Sequence, residues 1–144
     1  MTGLEFLQLY TEAVVVVAQP ESPALAVRQF AELDVFRVLY PPQDSAIRSL
    51  VARLLISQGV PLFRDRIESA SSAFGRAVTL ADPNTVWVIS YGVVADDLAE
   101  GRLVALDLDS SATTGAVGVM SRAEEVRSVA ARAFISALVR AVPD

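Results

Sequence analysis

The 144 residues are long enough for one ordinary domain, and 53% of them are apolar, so the chain can form a hydrophobic core. The net charge is −5 and every basic residue is an arginine, with no basic run, which argues against a chain that holds nucleic acid by itself. Cysteine and histidine are absent, which excludes disulfide frameworks, zinc–thiolate sites and the Ser-His-Asp triad. We therefore expect no enzyme activity, no cofactor and no metal site.

The first residues carry no recognisable targeting signal. Met1–Tyr10 contains Glu5 and no basic residue, whereas a secretory signal begins with positive charge. The apolar run Ala13–Ala18 is far shorter than the roughly twenty residues that a membrane span needs. These features predict a soluble, cytoplasmic chain without a membrane partner.

The first third of the chain predicts two strands and two helices. The β-branched run of Glu12–Pro20 is typical of a strand buried on both faces, as in parallel sheets. Ser22 and Pro23 suit the start of a helix running toward Phe30 or Leu33. Next come a strand at Phe36–Tyr40, stopped by two prolines, and a helix at Ala46–Gln58, which Asp44 or Ser45 caps and Gly59 ends.

The rest of the chain continues the alternation of strands and helices. Its predicted elements are a strand at Leu62–Glu68, a helix from about Ser72 to Leu80, a strand at Thr85–Val94, a short helical turn at Ala95–Glu100, strands at Leu103–Leu108 and Ala116–Met120, and a long helix at Glu124–Ala141. Such alternation predicts an α/β layer fold around a mixed, mainly parallel sheet.

Paired carboxylates are the first candidates for chemistry, because glycosidases and hard-metal sites use such pairs. Asp96 and Asp97 fit the first turn of a short helix, where the helix dipole favours negative charge. Asp107 and Asp109 stand at a strand end beside a loop. Acids are common at helix starts and turns, so a structural role is favoured for both pairs.

Three serines stand between a predicted strand and the helix that follows it. In open α/β sheets ligands bind beyond the carboxyl ends of strands, and helix N-termini attract anions. Ser69, Ser71 and Ser72 could therefore hold a carboxylate, although the local sequence favours helix capping without a ligand. The junction Pro41–Ser45 allows the same argument less strongly, because Asp44 would repel an anion.

Several segments resemble the effector-binding domain of LysR-type transcriptional regulators. Gly92–Leu106 resembles the late part of that domain, where a short helix is followed by a "G-x-L-V-x-L" strand. The other similar segments are Val117–Arg122 (the return strand), Ala130–Val139 (the final helix), Glu12–Pro20 with Pro23–Ala26 (the crossover strand and its "hPLA" continuation, with Ser22 in place of the usual His) and Tyr40–Arg48 (a "P-x-x-S-x-x-R" stretch). The resemblance covers almost the whole chain.

Within this family the amino-acid sequence most resembles regulators of protocatechuate (pca) operons. Thr85–Ala95 and Gly75–Ala77 carry that similarity, except that Tyr91 stands where an arginine is expected. Regulators of that subfamily respond to a carboxylated muconate or a muconolactone-type ring-cleavage product. The resemblance thus implies a small carboxylate effector.

The resemblance also implies a domain organisation. It predicts a periplasmic-binding-protein-like type 2 fold in which 1–17 is a remnant of the first subdomain and the crossover strand, 18–114 is the second subdomain, and 115–144 is the return strand and last helix of the first. The helix-turn-helix of the family finds no counterpart, so the chain is expected to be N-terminally truncated and to reach DNA only through a domain absent from it. The rival interpretation is a fragment of a solute-binding protein of a transport system.

The resemblance assigns candidate contacts and partners as well. Ser69, Ser71 and Ser72 are the first candidates for binding the effector, followed by Ser90 and Tyr91 at the predicted end of a strand. Because the first subdomain would be incomplete, the strand Glu12–Ala18 and the helix Glu124–Ala141 would lose neighbours, and we expect a homodimer or larger assembly.

Overall fold

The computed structural model describes residues 3–123 and 126–142 of the chain. The strands are β1 (Leu4–Glu12), β2 (Val14–Ala18), β3 (Arg37–Tyr40), β4 (Arg66–Glu68), β5 (Thr85–Ser90), β6 (Val104–Ala105) and β7 (Gly115–Arg122). The helices are α1 (Arg48–Ser57), α2 (Ser72–Ala81), α3 (Tyr91–Ala99) and α4 (Val129–Ala141), with short 3-10 helices at Pro23–Ala26, Phe30–Val35 and Ser111–Thr113. The residue contacts separate unit 1, formed by Met1–Glu12 and Gly115–Asp144, from unit 2, formed by Ala13–Thr114.

Unit 2 is built on a five-stranded mixed sheet, which confirms the predicted α/β class. The strand order is β4-β3-β5-β2-β6, with β3 parallel to both β4 and β5. Strand β2, in contrast, is antiparallel to both β5 and β6, so its apolar run does not mark a parallel neighbourhood. It is buried because one core lies on each face of the sheet, with Val16 in the first and Val17 in the second.

Several predicted elements differ from the structure, and one observed strand was not predicted. The strand predicted at Thr85–Val94 ends at Ser90, where α3 begins, because a short apolar run has no periodicity that separates strand from helix. Only Val104–Ala105 of the predicted strand Leu103–Leu108 pairs with a neighbour. The helix expected after Ser22 is instead two 3-10 helices, and the strand β1 was not predicted.

Unit 1 contains β1, β7 and α4. The two strands pair antiparallel, and the register shifts between Gln8 and Tyr10. Helix α4 begins at Val129 behind Ser128, whose hydroxyl accepts the Ala131 N–H. The predicted helix started earlier, at Glu124, a position outside the described residues. None of the residues of α4 is buried, and among the described residues no helix of either unit has the length and apolarity to cross a bilayer.

Helix α2 lies unusually close to the sheet because it carries a glycine opposite a tryptophan. A Cβ placed on Gly75 would stand 2.5 Å from Cε2 and 2.6 Å from Cζ2 of Trp87, nearer than real Cβ atoms approach other atoms. Trp87 is itself buried in the core between β5 and α2. The absence of a side chain at position 75 therefore sets the distance between α2 and β5.

Gly75→Ala is expected to destabilise unit 2 by about 1–3 kcal/mol, because an extra methyl group in a packed contact displaces its neighbours. Helix propensity alone predicts the opposite sign, a gain of about 1 kcal/mol on replacing glycine by alanine inside a helix. Urea unfolding followed by circular dichroism measures the difference. Trp87→Phe removes the clashing atoms, so it should relieve part of the cost in the double variant. A stabilising Gly75→Ala would contradict this packing.

Candidate functional site

Unit 2 contains a cavity of about 220 Å³ beyond the carboxyl ends of its parallel strands. The cavity is lined by residues that follow β3 and β4 and by residues in the second half of β5. The lining residues are Pro41, Pro42, Asp44, Ser45, Ile47, Ser69, Ala70, Ser71, Ser72, Trp87, Val88 and Ile89. This is the edge of an open α/β sheet at which ligands ordinarily bind.

The three predicted serines lie together on one wall of this cavity. Ser71 is the N-cap of α2, and its hydroxyl oxygen accepts the Phe74 N–H at 3.1 Å. Ser69 accepts the Ser71 N–H at 3.1 Å, and Ser72 is the first helical residue. A hydroxyl that accepts one hydrogen bond keeps its own proton, which it can donate. Capping of α2 and donation to a ligand are therefore compatible at Ser69 and Ser71.

The opposite wall comes from the turn between β3 and α1. The Ser45 hydroxyl accepts the Ile47 N–H at 3.3 Å, and Asp44 is exposed beside it. Ile47 is a half-buried apolar side chain that packs against the core. This wall therefore offers apolar surface and one negative charge, as the sequence indicated for Asp44.

Arg48 stands next to the cavity, but its charge is already paired. The side chain is only 16% exposed and lies with its guanidinium 4.8 Å from the centre of the Tyr40 ring. Its Nη1 donates to the Pro41 carbonyl at 2.8 Å and to Glu68 Oε1 at 2.7 Å. Hydrogen bonds from Arg66 and then Arg48 hold the pKa of Glu68 below its usual range, so the carboxylate stays ionised near neutral pH.

The Arg48 guanidinium is paired with Glu68, and no arginine is among the described residues that line the cavity. The positive potential available to an anion comes from the first N–H groups of α2 and from the serine hydroxyls. Such an arrangement could hold an anion weakly where the anion also has an apolar body. That body would contact Trp87 and Ile89.

The other two predicted site residues lie elsewhere. Ser90 ends β5 and occupies the N-cap position of α3, where its side chain makes no capping hydrogen bond. Tyr91 is the first residue of α3, not the end of a strand, and it is 49% exposed. Neither lines the cavity; β5 contributes Trp87, Val88 and Ile89 instead. Local sequence could not select these three, because they are indistinguishable from other apolar strand residues.

The paired carboxylates are structural, although the reason given for Asp97 was wrong. Asp97 lies beyond the first turn of α3, and its side chain is 3% exposed. Its Oδ2 accepts Arg76 Nε at 3.1 Å and its Oδ1 accepts Arg102 Nε at 3.0 Å. Asp109 accepts the N–H and hydroxyl of Ser111. Among the described residues, no three acidic, histidine or cysteine side chains could hold a metal ion.

Two opposing electrostatic effects act on the pKa of the buried Asp97 carboxylate. Burial acts to raise the pKa of Asp97, but the hydrogen bonds and positive charge of Arg102 and Arg76 outweigh it, and the net pKa is lowered. The ionised form is thus the one that the fold stabilises. Arg76 also donates Nη2 to the Val93 carbonyl at 2.8 Å, which joins α2 to α3.

Comparison with known proteins places the chain among transcriptional regulators. The family model described as LysR substrate binding domain matches residues 1–143. The HTH-type transcriptional regulator PcaQ of Agrobacterium fabrum is 40% identical over 126 residues, which cover 86% of this chain and 40% of PcaQ. The uncharacterized HTH-type transcriptional regulator YdcI of Escherichia coli is 28% identical over 144 residues, covering 99% of this chain and 47% of YdcI.

A solved structure shows the same fold. The CcmR regulatory domain of Synechocystis PCC6803 in complex with 2-PG superposes with a TM-score of 0.78 at 20% identity, covering 98% of this chain and 68% of that one. The chain spans less than half of the length of the two curated relatives. These relatives are regulators and not enzymes, in agreement with the expectation from composition.

Asp97→Asn is expected to destabilise the chain by about 2–3 kcal/mol near neutral pH, because two charge-assisted hydrogen bonds are weakened at a buried acceptor. The folded pKa of Asp97 is depressed, so its contribution is present above the unfolded pKa of about 3.9 and is lost as pH falls through the folded pKa. Urea unfolding from pH 7 down to pH 3 should therefore show the gap between native chain and variant closing at acid pH. A gap that stays constant would contradict the ion-pair assignment.

Proposed function

Because this chain belongs to the LysR substrate-binding domain family, we propose that it is the effector-sensing part of a cytoplasmic LysR-type transcriptional regulator and that its effector is a small carboxylate. The observation that carries the proposal is the cavity at the strand ends, with Ser69, Ser71 and Ser72 on one wall. These hydroxyls stand at the N-terminus of α2, where N–H groups and the helix dipole favour negative charge.

The shape and chemistry of the cavity favour a particular kind of carboxylate. A volume of about 220 Å³ suits a compact molecule, and Trp87 and Ile89 offer apolar surface for an unsaturated carbon skeleton. The similarity to regulators of protocatechuate operons, together with the 40% identity to PcaQ, supports a carboxylated product of aromatic ring cleavage. A muconate has this combination of flat carbon chain and terminal carboxylates.

The proposed mechanism is binding without chemistry. An effector alters a regulator only through a difference in affinity between two of its conformations, so the carboxylate would favour one arrangement of a regulator assembly on DNA. Contact with DNA would be made by a helix-turn-helix domain of the whole regulator. The net charge of −5 is consistent with a chain that binds the effector and does not itself hold DNA.

A muconate is expected to stabilise the native chain against heat. The linkage is logarithmic and amounts to about 2.7 kcal/mol at a hundredfold excess over the dissociation constant. Thermal unfolding in cis,cis-muconate should show an upward shift at millimolar concentration, whereas the neutral dimethyl ester should produce none, because the donors select negative charge. An equal shift with the ester would point to apolar binding without the proposed carboxylate contact.

Replacing Ser71 and Ser72 together by alanine tests the assigned wall. Loss of the cap lowers the stability of the variant by about 1 kcal/mol on its own, so each shift is measured against the ligand-free state of the same variant. We expect the muconate shift to disappear, since one lost hydrogen bond to a charged group is worth about 1.5–3 kcal/mol. Ser128→Ala removes a similar cap from α4 in unit 1 and serves as the matched control. A full shift in the double variant would make these serines structural caps only.

We propose self-association through unit 1. The expectation that the strand Glu12–Ala18 would lose neighbours is wrong, because β2 is paired on both edges and its Val17 side chain is fully buried. Unit 1, however, leaves large side chains uncovered, among them Phe6 and Phe134, which is 64% exposed. A groove of about 520 Å³ between β7 and α4 adds to this apolar surface. Surfaces of this kind on a soluble chain usually mark interfaces.

Light scattering at micromolar concentration should therefore give the mass of a dimer or a larger assembly. Phe134→Ser, combined with Phe6→Ser, should shift the mass toward the monomer, because apolar surface drives the association. Val35→Ser is the matched control, since Val35 is 80% exposed on unit 2. A native chain that is a single monomeric species would rule out this surface as an interface.

A further inference from the structure

The first turn of α2 is exposed, yet it carries the serines of the proposed site. Ser71, Ser72 and Phe74 all face solvent to a large degree. The first buried position of the helix is Gly75, which rests on Trp87. Val78 and Thr79 pack against the core farther along the helix, but Gly75 has no side chain that could resist rotation near the N-terminus, so a further contact is needed to fix the placement of the first turn.

Arg76 supplies that restraint. Its Nε donates to Asp97 Oδ2 at 3.1 Å and its Nη2 donates to the Val93 carbonyl at 2.8 Å, both on α3. The same guanidinium lies 5.9 Å from the centre of the Trp87 ring. A planar fork with two acceptors and one aromatic face permits one orientation, which a lysine could not reproduce.

The acceptor of this fork is itself fixed. Asp97 is buried, and its other oxygen accepts Arg102 Nε at 3.0 Å. Arg102 belongs to the turn that follows α3, and its own N–H donates to the Asp97 carbonyl at 2.9 Å. Arg102 therefore holds the carboxylate through one oxygen, and Arg76 binds the other.

Arg76 stands one helical turn from Ser72, and its guanidinium lies over Trp87; both of these residues line the cavity. Residues four apart share a helix face, and a rotation of α2 at Arg76 would move Ser72 with it. We infer that Arg76 is a positioning residue for the effector site, which sets the placement of the α2 serines and of the Trp87 wall without itself contacting the effector. This inference rests on the proposed function.

Arg76→Lys tests it, because lysine keeps the charge but loses the fork. Its affinity for cis,cis-muconate, measured by calorimetry, should fall about tenfold, as expected when one charge-assisted hydrogen bond to the ligand is misplaced. Arg64→Lys is the matched control, since Arg64 also donates Nε to a carboxylate, that of Asp34 at 2.9 Å, but belongs neither to α2 nor to the cavity lining. That variant should keep the native affinity.

Amide hydrogen exchange gives a readout that does not depend on the effector. Peptides covering residues 69–78 should exchange faster in Arg76→Lys and at the native rate in Arg64→Lys. Asp97→Glu, which keeps the charge but moves the acceptor, replaces Arg76→Lys if that variant does not fold. Native affinity and native exchange in the folded variant would overturn the inference, as would an equal loss of affinity in Arg64→Lys.

The same experiments separate this inference from the proposed function. If the native chain fails to bind muconate, the assignment of a muconate effector is wrong, and exchange in residues 69–78 alone decides the role of Arg76. If the native chain binds muconate and Arg76→Lys binds it equally well, the proposed function stands and the positioning role is wrong.

Discussion

The contact between Gly75 and Trp87 determines where the candidate site can be. A helix that packs on a sheet through ordinary side chains is kept at a distance by them, whereas α2 meets the Trp87 ring with backbone alone. That close approach brings the N-terminus of α2 to the end of β5, so that the serines of one element and the apolar residues of the other line a single cavity. The tight interior packing of proteins makes such a contact sensitive to one methyl group, and the site depends on it for its geometry.

Charge at this edge of the sheet is arranged so that little of it is available to a ligand. Arg48 is paired with Glu68 and covered by Tyr40, and Arg76 is paired with Asp97. Asp44 is the charge that faces the cavity directly. An anion bound here relies on oriented dipoles in place of a counter-ion, and dipoles at a helix terminus act over about one turn. The position of α2 therefore matters more to affinity than the net charge of the surface does.

The sequence predicted the parts of this arrangement that depend on local chemistry. Ser71 was a recognisable helix start, and the strand–helix alternation gave the α/β class. Features that depend on distant residues could not be predicted. The valines of β2 suit a buried strand whether its neighbours are parallel or antiparallel, so they do not identify its antiparallel partners. The burial of Asp97 depends on two arginines from separate parts of the chain. Strand β1 was missed because a two-stranded ribbon exposed on most of its surface lacks the clean alternation of a half-buried strand.

In the proposed function, unit 2 receives the effector on groups that other contacts of the fold hold in place. The Ser71 hydroxyl caps α2, Arg76 links α2 to α3 and to Trp87, and Asp97 accepts hydrogen bonds from two arginines. A ligand that meets groups already in place loses little free energy to ordering them, which favours binding but leaves little conformational change within the unit. Because an effector acts only through a difference in affinity between states, a regulatory response to the carboxylate must arise from groups outside unit 2 that contact the ligand in one state and not in the other.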